Sequence, residues 1–540
     1  MLAGLILISG VLLLYAGRHL TFFYDEWAWI EQRRGGALST YLDPHNGHLS
    51  LFPVVVYKLL FALVGLRHYT PYRAVGVAVH VLCGALLYVL VRRRVGPWLA
   101  LVPTALLLFM GTAFQDLLWP FQLGFLSSVA GGLLALGLLE RGTTRADACA
   151  CAALIWSLSS SGVGLAFLAA CAVLLILRRS AWRRLWIVAL PAALFLVWYV
   201  GWETSEQITS DSVLAAPQYI ADAASATFAG IAGLSLTYGP ALAVAGLALM
   251  ASAWTRHGRG QPTPMLLAGI AGAVTFWGLS AIARTSVADP SASRYLYIGA
   301  VFIYLIAAEA GLGTSLRGGW AALAGLAVAG ALIGNIAALR ANERGLRAAD
   351  DSVRESLAVV EIAAPVVSPA FVPSPTFAPQ ITAGPYLAAV RDLGSPALTP
   401  VQLERAPEIV RAGSDQLLEH AEALAPVALT GPISGTEAVV VAGTSGGQLI
   451  RRGLCVRFDP GAAHAALYLR AAAGGQVLIH AHRGAGAVVY LRRLASVFGP
   501  PPFTTVAGAA TTAIRFPADR AAEPWDVLVT ATQPVDVCLR

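Results

Sequence analysis

Apolar residues fill the first two thirds of the chain in long blocks that charged residues rarely interrupt. The blocks lie at 1–17, 72–91, 98–113, 121–139, 148–177, 185–201, 227–253, 264–283, 295–314 and 318–339. Several of them reach the roughly 20 residues that an α-helix needs to cross the hydrocarbon layer of a bilayer. The pattern therefore predicts a polytopic α-helical membrane region over residues 1–340.

Basic residues between the blocks predict how this region is threaded. Lys and Arg are retained in short cytoplasmic loops. The basic positions fall in five short loops: 92–94, 141–145, 178–184, 256–259 and Arg317. Placing all five inside predicts about eleven spans. In that arrangement the block 148–177 folds at its serines into two short spans, the N-terminus is inside, and the chain after residue 340 is outside.

The stretch LSLFPVVVYKLLFALVG at 49–65 decides on which side the first polar loop lies. If it crosses the membrane, residues 21–50 are cytoplasmic, and if it lies along the interface they are outside. Lys58 stands near its middle, and a lysine at mid-bilayer costs roughly 2.5–3.5 kcal/mol on insertion scales. An interfacial helix that keeps Lys58 among the headgroups avoids this cost. We therefore expect residues 21–50 to be outside.

Composition agrees with a membrane protein. Hydrophobic residues make up 57% of the chain and charged residues 12%, with a mean hydropathy of +0.67. A soluble globular protein carries about twice that share of charge. The formal net charge of +7 does not indicate nucleic-acid binding, because the arginines are scattered at the ends of the predicted spans.

Beyond residue 340 the pattern changes twice. Residues 341–434 predict a polar helix, a Pro-rich segment and weaker helical signals. From 435 to 540, short β-like runs alternate with Gly, Pro or Asp, which predicts a mostly β, sandwich-like domain. Cys455 and Cys538 lie in two of these runs, and both a disulfide and two buried thiols are compatible with that placement. The architecture does not by itself indicate a function for this domain.

Under the predicted topology, ionisable residues gather on the outer side of the helical region. The first outer loop contains Asp25 and Glu26 within FFYDEWAW and continues with YLDPHNGHLS at 41–50. The second is FQDLLWPFQ at 114–122, and a late one is ARTSVADPSASRYLY at 283–297. Ionisable groups next to apolar spans are costly and usually functional. Carboxylates, imidazoles and guanidinium groups from three loops on one side indicate an active site.

The order of these features resembles the GT-C class of membrane glycosyltransferases. The plan is similar to that of bacterial relatives of protein mannosyltransferases, aminoarabinose transferases and arabinosyltransferases. The resemblance covers about residues 1–340, and four stretches carry it: YDEW at 24–27, PHNGH at 44–48, QDLLWPFQ at 115–122 and SRYLY at 293–297. It implies that a sugar passes from a polyprenyl phosphate to an acceptor outside the membrane.

The resemblance also implies roles for the acids. Asp25 matches the first-loop base, which accepts the proton of the acceptor as the sugar carbon is attacked. Glu26 is either that base or the group that orients it. Asp116 matches the second-loop acid, which is expected to position the acceptor or a metal.

Other polar residues suit the donor and the acceptor. Arg284 and Arg294 are expected to hold the donor phosphate, because guanidinium forks match phosphate oxygens. Tyr295 is expected to add a hydrogen bond. The ring of Trp27 offers a face for a sugar, although an interfacial aromatic belt would also place it there. Further contacts to donor or acceptor are expected from His45, Asn46, His48 and Gln122.

The spacing of His45 and His48 leaves a metal open. On a helix, residues three apart share a face, and two imidazoles could join a carboxylate around a divalent metal. Pro44 and Gly47 favour a turn instead. A metal therefore stays an alternative to direct polar contacts with the substrates.

These features predict a multi-pass enzyme of the cytoplasmic membrane with an extracytoplasmic C-terminal domain. It would transfer a sugar from an undecaprenyl- or decaprenyl-phosphate donor to an envelope glycan, lipid or protein. One alternative is a transporter or flippase for lipid-linked sugars, which would place charges near the midplane and show internal repeats. Another is a non-catalytic scaffold whose outer β domain binds glycan or protein. The hypotheses differ at Asp25: Asp25→Asn should lose most transfer in an enzyme, whereas in a scaffold it should leave cellular function intact and deletion of 340–540 should abolish that function.

Overall fold

The computed structural model describes all residues except 179–180, 203–208, 257–260, 285–288, 313–317, 430–439, 453–454, 463–464, 483–484, 509–510 and 540. The chain divides into two compact units. The first unit comprises Met1–Leu20 and Gln32–Ala348, and the second comprises Thr21–Glu31 and Ala349–Arg540. The domain boundaries expected at 340 and 434 stay predictions.

Helices account for nearly all of the first unit and for part of the second. In chain order they are α1 (Leu2–Ala16), α2 (Asp25–Gln32), α3 (Ser39–Leu42), α4 (Leu51–Val64), α5 (Thr70–Leu99), α6 (Leu101–Leu108), α7 (Phe114–Leu118), α8 (Leu123–Leu139), α9 (Thr144–Ser160), α10 (Gly164–Ile176), α11 (Ala181–Arg184), α12 (Trp186–Gly201), α13 (Ser210–Ala232), α14 (Gly239–Arg256), α15 (Pro264–Arg284), α16 (Ser293–Ala310), α17 (Gly319–Ile362), α18 (Ala383–Leu393), α19 (Pro400–Glu404) and α20 (Glu408–Ala421). Short 3-10 helices lie at Gly111–Ala113, Pro120–Gln122 and Leu236–Tyr238.

The predicted polytopic helical class is confirmed. Within the described residues, 7 helical segments are long and apolar enough to cross a membrane: Thr70–Leu99, Leu101–Leu118, Pro120–Leu139, Leu236–Thr255, Pro264–Ala283, Ser293–Ala310 and Gly319–Ile362. Shorter apolar helices lie at Leu2–Ala16, Leu51–Val64, Gly164–Ile176 and Trp186–Gly201. The number of spans and the side that each loop faces stay predictions.

Two apolar blocks show how local sequence sets helix ends. The block 148–177 is two helices, as predicted, because α9 ends at Ser160 and α10 begins at Gly164. The block 227–253 does not form one continuous helix, and its segment long enough to cross a membrane is Leu236–Thr255. Helix α13 ends at Ala232, where Gly233 adopts a left-handed conformation (φ 64°) that terminates the helix. This helix also begins at Ser210, between the apolar blocks 185–201 and 227–253.

Small residues let the central helices approach closely. The hydroxyl of Ser128 in α8 donates to the carbonyl of Ser157 in α9, and the hydroxyl of Ser157 donates to the carbonyl of Ser128, both at 2.7 Å. A Cβ at Gly131 would lie 2.7 Å from the carbonyl oxygen of Ala153. Small side chains of this kind bring helix backbones together in membranes. They fix α8 and α9, whose ends carry much of the candidate site.

The second unit combines helices with a β domain, as predicted. Its strands are β1 (Pro426–Leu429), β2 (Val440–Ser445), β3 (Gly447–Arg452), β4 (Cys455–Pro460), β5 (Ala466–Ala471), β6 (Gln476–Ala481), β7 (Ala487–Arg492), β8 (Thr504–Val506), β9 (Thr511–Arg515), β10 (Trp525–Ala531) and β11 (Val535–Leu539). They form a sheet in the order β1-β9-β6-β11-β4-β3 and a second in the order β2-β5-β10-β7-β8. The pairings are antiparallel, and residues along β7 and β10 alternate between buried and partly exposed.

The register of this domain decides between the disulfide and the two buried thiols that the sequence left open. Cys455 in β4 and Cys538 in β11 stand directly opposite each other and form a disulfide. His480 in β6 contacts Thr511, with 2.9 Å between Nδ1 and Oγ1. His482 lies 3.1 Å from a carboxylate oxygen of Asp536. His480 and His482 therefore each belong to a polar pair in this domain.

Candidate active site

The first polar loop of the first unit folds into a tight hairpin. His45 and His48 exchange two backbone hydrogen bonds, each 3.0 Å long. Asn46 (φ 49°) and Gly47 (φ 74°) occupy the turn. Asn-Gly suits a two-residue turn with positive φ at both positions. The turn favoured by Pro44 and Gly47 is confirmed, and the two imidazoles are presented from opposite arms of a hairpin.

Cationic and aromatic side chains hold the loop in place. The guanidinium of Arg33 donates to the carbonyls of Asp43 and Pro44 at 2.9 and 3.1 Å. The ammonium of Lys58 donates to the carbonyl of Gly35 at 2.7 Å. The indole N–H of Trp198 donates to the carbonyl of Leu42 at 2.7 Å. Lys58, on which the predicted interfacial position of α4 depends, is thus bound by the polar loop. The position of α4 relative to the membrane stays a prediction.

The hairpin imidazoles reach the second predicted loop. The His45 ring lies 5.3 Å from the Phe121 ring, and the His48 ring lies 6.4 Å from the Phe125 ring, both edge to face. His48 also packs against Gly162, where a Cβ would lie 2.8 Å from Nδ1. The loops at 41–50 and 114–122 and the serine turn after α9 therefore meet at one end of the helices.

The late loop joins the same end. The backbone N–H of Gln115 donates to the hydroxyl of Ser293 at 3.2 Å. The Tyr295 ring stacks on Phe125, with 6.5 Å between centroids and 20° between planes. The Arg294 guanidinium lies 5.1 Å from the centroid of the Tyr295 ring. Three segments that are far apart in sequence are thus brought together, as the sequence predicted.

Asp116 is the most unusual group at this end. It is 3% exposed, and neither of its carboxylate oxygens has a hydrogen-bond partner among the residues that the structure describes. The positive charge of Arg294 acts on this carboxyl. No ion pair joins the two side chains in the described part of the chain. Leaving a buried polar group unpaired costs free energy that a fold normally avoids.

Sequence reasoning did not find the groups that surround Asp116. Its charge acts on Cys83 and on Tyr297. Nδ1 of the buried His80 lies 3.0 Å from the hydroxyl of Tyr297, and its Nε2 lies 3.3 Å from the carbonyl of Leu108. His80 and Cys83 stand one turn apart on α5, within an apolar block. That placement is equally typical of packing residues, so the sequence carried no signal for their position.

Two other predicted residues of the first unit have simpler descriptions. Gln122 ends the 3-10 helix Pro120–Gln122 and is 3% exposed, directly before α8. Arg284 is the last residue of α15. The side chain of Arg284 lies outside the described residues, so its expected contact with the donor phosphate stays a prediction.

The segment Thr21–Glu31 belongs to the second unit. Glu26 is fully buried, and one of its carboxylate oxygens accepts the backbone N–H of Phe23 at 2.9 Å. Asp25 begins α2 and is half-buried. Tyr24, directly before it, has a φ of 47°, which is uncommon for a residue other than glycine. Of the two neighbouring acids, Asp25 is the more accessible one.

The aromatic residues around these acids are mostly part of a core. Phe22, Trp27 and Trp29 are almost fully buried. The Trp27 indole N–H donates to the carbonyl of Phe22 at 3.0 Å, and its ring meets Tyr386 edge to face at 5.8 Å. The expected contact of Trp27 with a sugar stays a prediction.

Asp350 is a further acid that sequence reasoning missed. It is 2% exposed, and one carboxylate oxygen accepts the backbone N–H of Thr21 at 2.9 Å. The Asp350 and Glu26 charges act on each other. Two buried carboxyls therefore fix the backbone just before Asp25. Asp350 lies in the polar half of α17, where a run of charges predicts only a solvated helix face.

The other end of the first unit has a different arrangement of charge, which we call the basic end. Arg94 contacts both Glu140 and Glu309, with 2.5 Å between its Nε and Glu309. Arg184 contacts Asp147 at 2.6 Å. Glu140 follows α8 and Gln122 precedes it, so the length of this helix, about 25 Å, separates the two ends. The described parts of the basic loops 92–94, 141–145 and 178–184 thus meet at one end.

A metal receives no support from the described side chains. Across the described ranges, no group of three or more His, Cys, Asp or Glu side chains lies close enough to hold an ion. The hairpin imidazoles instead contact Phe121 and Phe125.

No protein-family model and no curated protein matches the sequence. Among solved structures, the chain is similar to ArnT from Cupriavidus metallidurans, crystallised with bound undecaprenyl phosphate. The similarity covers 68% of this chain and 81% of that chain, with 13% sequence identity and a TM-score of 0.46. That protein is of the class that the sequence resembles. At this identity and TM-score the match assigns no substrate and no site residue to this chain.

Proposed function

We propose that this protein is a membrane glycosyltransferase that moves a sugar from a polyprenyl-phosphate donor to a cell-envelope acceptor outside the cytoplasmic membrane. The observation that carries the proposal is the buried Asp116, which lacks a hydrogen-bond partner in the described structure and lies within the field of Arg294. Buried ionisable groups with unmet polar demand concentrate at functional sites. A ligand that enters between the two side chains would satisfy both.

Arg294 suits the phosphate of the donor. It makes no ion pair and donates no hydrogen bond within the described residues, its charge acts on Asp116, and its guanidinium lies over the Tyr295 ring. A guanidinium group offers two parallel N–H donors to a phosphate and does not lose its charge at physiological pH. Tyr295 in turn rests on Phe125, so the aromatic layer limits the directions that Arg294 can take.

An apolar cavity beside the hairpin suits the lipid part of the donor. Its volume is about 350 Å³, and its lining is almost wholly apolar. Leu42 and Leu49 line it and flank the hairpin that carries the two imidazoles. Phe195 and Trp198 line it from α12. Isoprenoid units buried there would leave water at a gain of roughly 25 cal/mol per Å² of apolar surface.

The chemistry that follows is a single displacement at the anomeric carbon. An acceptor oxygen or nitrogen forms a bond to that carbon as the bond to the phosphate oxygen breaks. Polyprenyl phosphate leaves with the electron pair, and Arg294 stabilises its charge. The acceptor proton passes to a carboxylate, for which we propose Asp25, because it is the more accessible of the two neighbouring acids. Asp116 positions the acceptor.

The direct test uses purified protein in nanodiscs. Wild-type protein should bind undecaprenyl phosphate and should transfer sugar from an undecaprenyl- or decaprenyl-phosphate donor. Arg294→Ala should weaken undecaprenyl phosphate binding at least tenfold, while Arg145→Ala, an exposed arginine, should leave it unchanged. Equal binding by both variants would remove Arg294 from the donor site.

The proposed base has its own matched control. Asp25→Asn should lose most transfer while binding undecaprenyl phosphate like the wild type. Asp211→Asn alters another acid in the first turn of a helix, α13, and should retain transfer. Full transfer activity of Asp25→Asn would exclude Asp25 as the base, and absence of transfer by the wild type would favour the scaffold alternative.

A further inference from the structure

A second cavity lies within the second unit, between α20 and the chain that follows β7. Its volume is about 630 Å³, within the roughly 300–1,000 Å³ of small-molecule sites. Ala412, Gln416, Glu419 and His420 line it from the helix, at the spacing that places residues on one helical face. The opposite wall is the segment 499–503. We call this the α20 cavity.

Carboxylates fix the walls of the α20 cavity. Asp415 accepts three consecutive backbone N–H groups, those of residues 493–495, at 2.8 to 3.0 Å. Glu408 accepts the backbone N–H groups of Ser496 and Val497 at 2.9 and 3.1 Å. The chain after β7 is thereby held against α20. A cavity whose walls are already fixed loses little entropy when a ligand binds.

Glu419 is the polar group that the fold leaves available in this cavity. It is half-buried, and its carboxyl makes no hydrogen bond and no ion pair with the described residues. Burial, reinforced by the charge of Asp415 and partly opposed by that of His420, raises the pKa of Glu419 to about 7. Near neutral pH this carboxyl can therefore donate a hydrogen bond as the acid or accept one as the carboxylate. The amide nitrogen of Gln416, one turn earlier, donates to the carbonyl of Pro500 at 3.4 Å, and the amide retains its oxygen as an acceptor and a second N–H as a donor.

The charges around the cavity do not suit an anionic ligand. Arg492 is the one lysine or arginine among the described lining residues, and it donates to Asp526 at 2.9 and 3.2 Å. An anion would therefore meet Glu419 without an unpaired guanidinium or ammonium group. A wholly apolar ligand would leave the Glu419 carboxyl buried without a partner, which is costly. The remaining walls, Leu424 and the prolines before Phe503, are apolar.

We propose that the α20 cavity binds a neutral saccharide segment, with hydroxyl groups on Glu419 and Gln416 and ring faces against Pro500–Phe503. Hydroxyl groups both donate and accept, as Glu419 and Gln416 do, and the C–H faces of a sugar ring pack on apolar walls. The proposal does not depend on transferase activity. It would hold in the scaffold alternative as well.

The test is calorimetric titration of the full-length protein in nanodiscs with mannohexaose, arabinohexaose and cellohexaose. At least one should bind saturably. Glu419→Ala and Gln416→Ala should each weaken that binding about tenfold, as expected when one buried hydrogen bond worth about 1.4 kcal/mol is lost. Glu404→Ala, an exposed acid on α19 outside the cavity, should bind like the wild type.

A second variant separates binding from folding. Glu419→Gln mimics the protonated acid, so it should keep the affinity for the saccharide. That affinity should be the same below and above pH 7. The affinity of the wild type should change as Glu419 titrates at a pKa of about 7. The thermal unfolding midpoint of each variant shows whether the domain is intact.

Three outcomes would overturn the proposal. The first is that none of the three hexasaccharides binds the wild type. The second is that folded Glu419→Ala binds as well as Glu404→Ala. The third is that octalysine binds in a Glu419-dependent manner and the saccharides do not, which would make the cavity a site for cationic ligands.

Discussion

The two ends of the first unit differ in whether their buried acidic side chains are paired. At the basic end, Glu140 and Glu309 share Arg94, and Asp147 pairs with Arg184. At the other end, Asp116 is buried without a hydrogen-bond partner in the described structure. Helix α16 connects the two arrangements, because Arg294 lies in its first turn and Glu309 in its last.

The difference separates anchoring from binding. A charge that is buried together with its counter-charge has its desolvation cost offset within the protein, and it then holds helices in register. A buried ionisable group whose partner stays out of hydrogen-bond reach retains its desolvation cost until a ligand supplies the contacts. The same residue types therefore serve stability at the basic end and, in our proposal, recognition at the other end.

Removing Asp116 should produce the largest effect. Asp116→Leu should reduce transfer by about 10²- to 10³-fold, the usual effect of losing a group that acts on the transition state. The free energy of unfolding should not fall, because an unpaired buried carboxyl is replaced by an apolar side chain of similar size. Steady-state kinetics and denaturant unfolding measure the two quantities. Asp147→Leu at the basic end should show the reverse, and a destabilised Asp116→Leu would contradict the comparison.

Removing Glu309 should mainly affect stability. Glu309→Ala leaves the partly buried Arg94 with one partner fewer and should lower the free energy of unfolding by about 3–5 kcal/mol. Transfer per folded molecule should be preserved. Asp222→Ala, which alters an exposed acid on α13, should change stability by less than about 0.5 kcal/mol. Equal stability of the two variants would show that the basic end does not anchor the helices.

Acid should weaken the ion pairs of the basic end by protonating Glu140. Burial alone would raise the pKa of Glu140, but hydrogen bonds and charges from Arg94 and Arg93 lower it below the usual value of 4.5. A lowered pKa in the folded state means that the contribution to stability is present above pH 4.5 and is lost as pH falls through the folded pKa. Glu140→Gln should therefore be less stable than the wild type at pH 7, and the difference should shrink on acidification. A difference that is constant with pH would contradict this assignment.

Strain in the hairpin should have the smallest effect. Gly47 has a φ of 74°, and an alanine there should cost about 1–2 kcal/mol locally. Gly47→Ala should weaken undecaprenyl phosphate binding several-fold, because the hairpin carries His45 and His48 beside the apolar cavity. Asn46→Gly, which permits the same turn, should bind like the wild type. Loss of binding in Asn46→Gly alone would show that the Asn46 side chain, and not the turn, matters.

The pattern of apolar residues and the positions of helix- and strand-breaking residues predicted much of the fold. The helical class, the break after Ser160 and the β-rich C-terminal domain agree with the structure. The break at Gly233 was missed because apolar residues on both sides of it continue without interruption. The contacts among the loops at 41–50, 114–122 and 293–297 agree with the predicted gathering of polar loops, whereas the expected convergence of Asp25 with Asp116 and Arg294 stays a prediction.

The details of the candidate site were less accessible. The aromatic residues next to Asp25 suggested rings that face a sugar or the membrane interface. Phe22, Trp27 and Trp29 are instead core residues of the second unit. Asp350 gave no signal, because an acid in a charged helix is ordinarily solvated. A residue type indicates what a side chain can do, and burial decides whether the side chain is available.

The sequence by itself determined which regions are helical and apolar, which are β-rich and which loops concentrate charge, because these properties depend on neighbours a few positions apart. Only the tertiary structure decided which charges are paired. Arg94 and Glu309 are separated by 215 positions, and His80 and Tyr297 by 217. Electrostatic and hydrogen-bond energies depend on distances of a few ångströms, and only the packing of the helices sets those distances between residues so far apart in the chain.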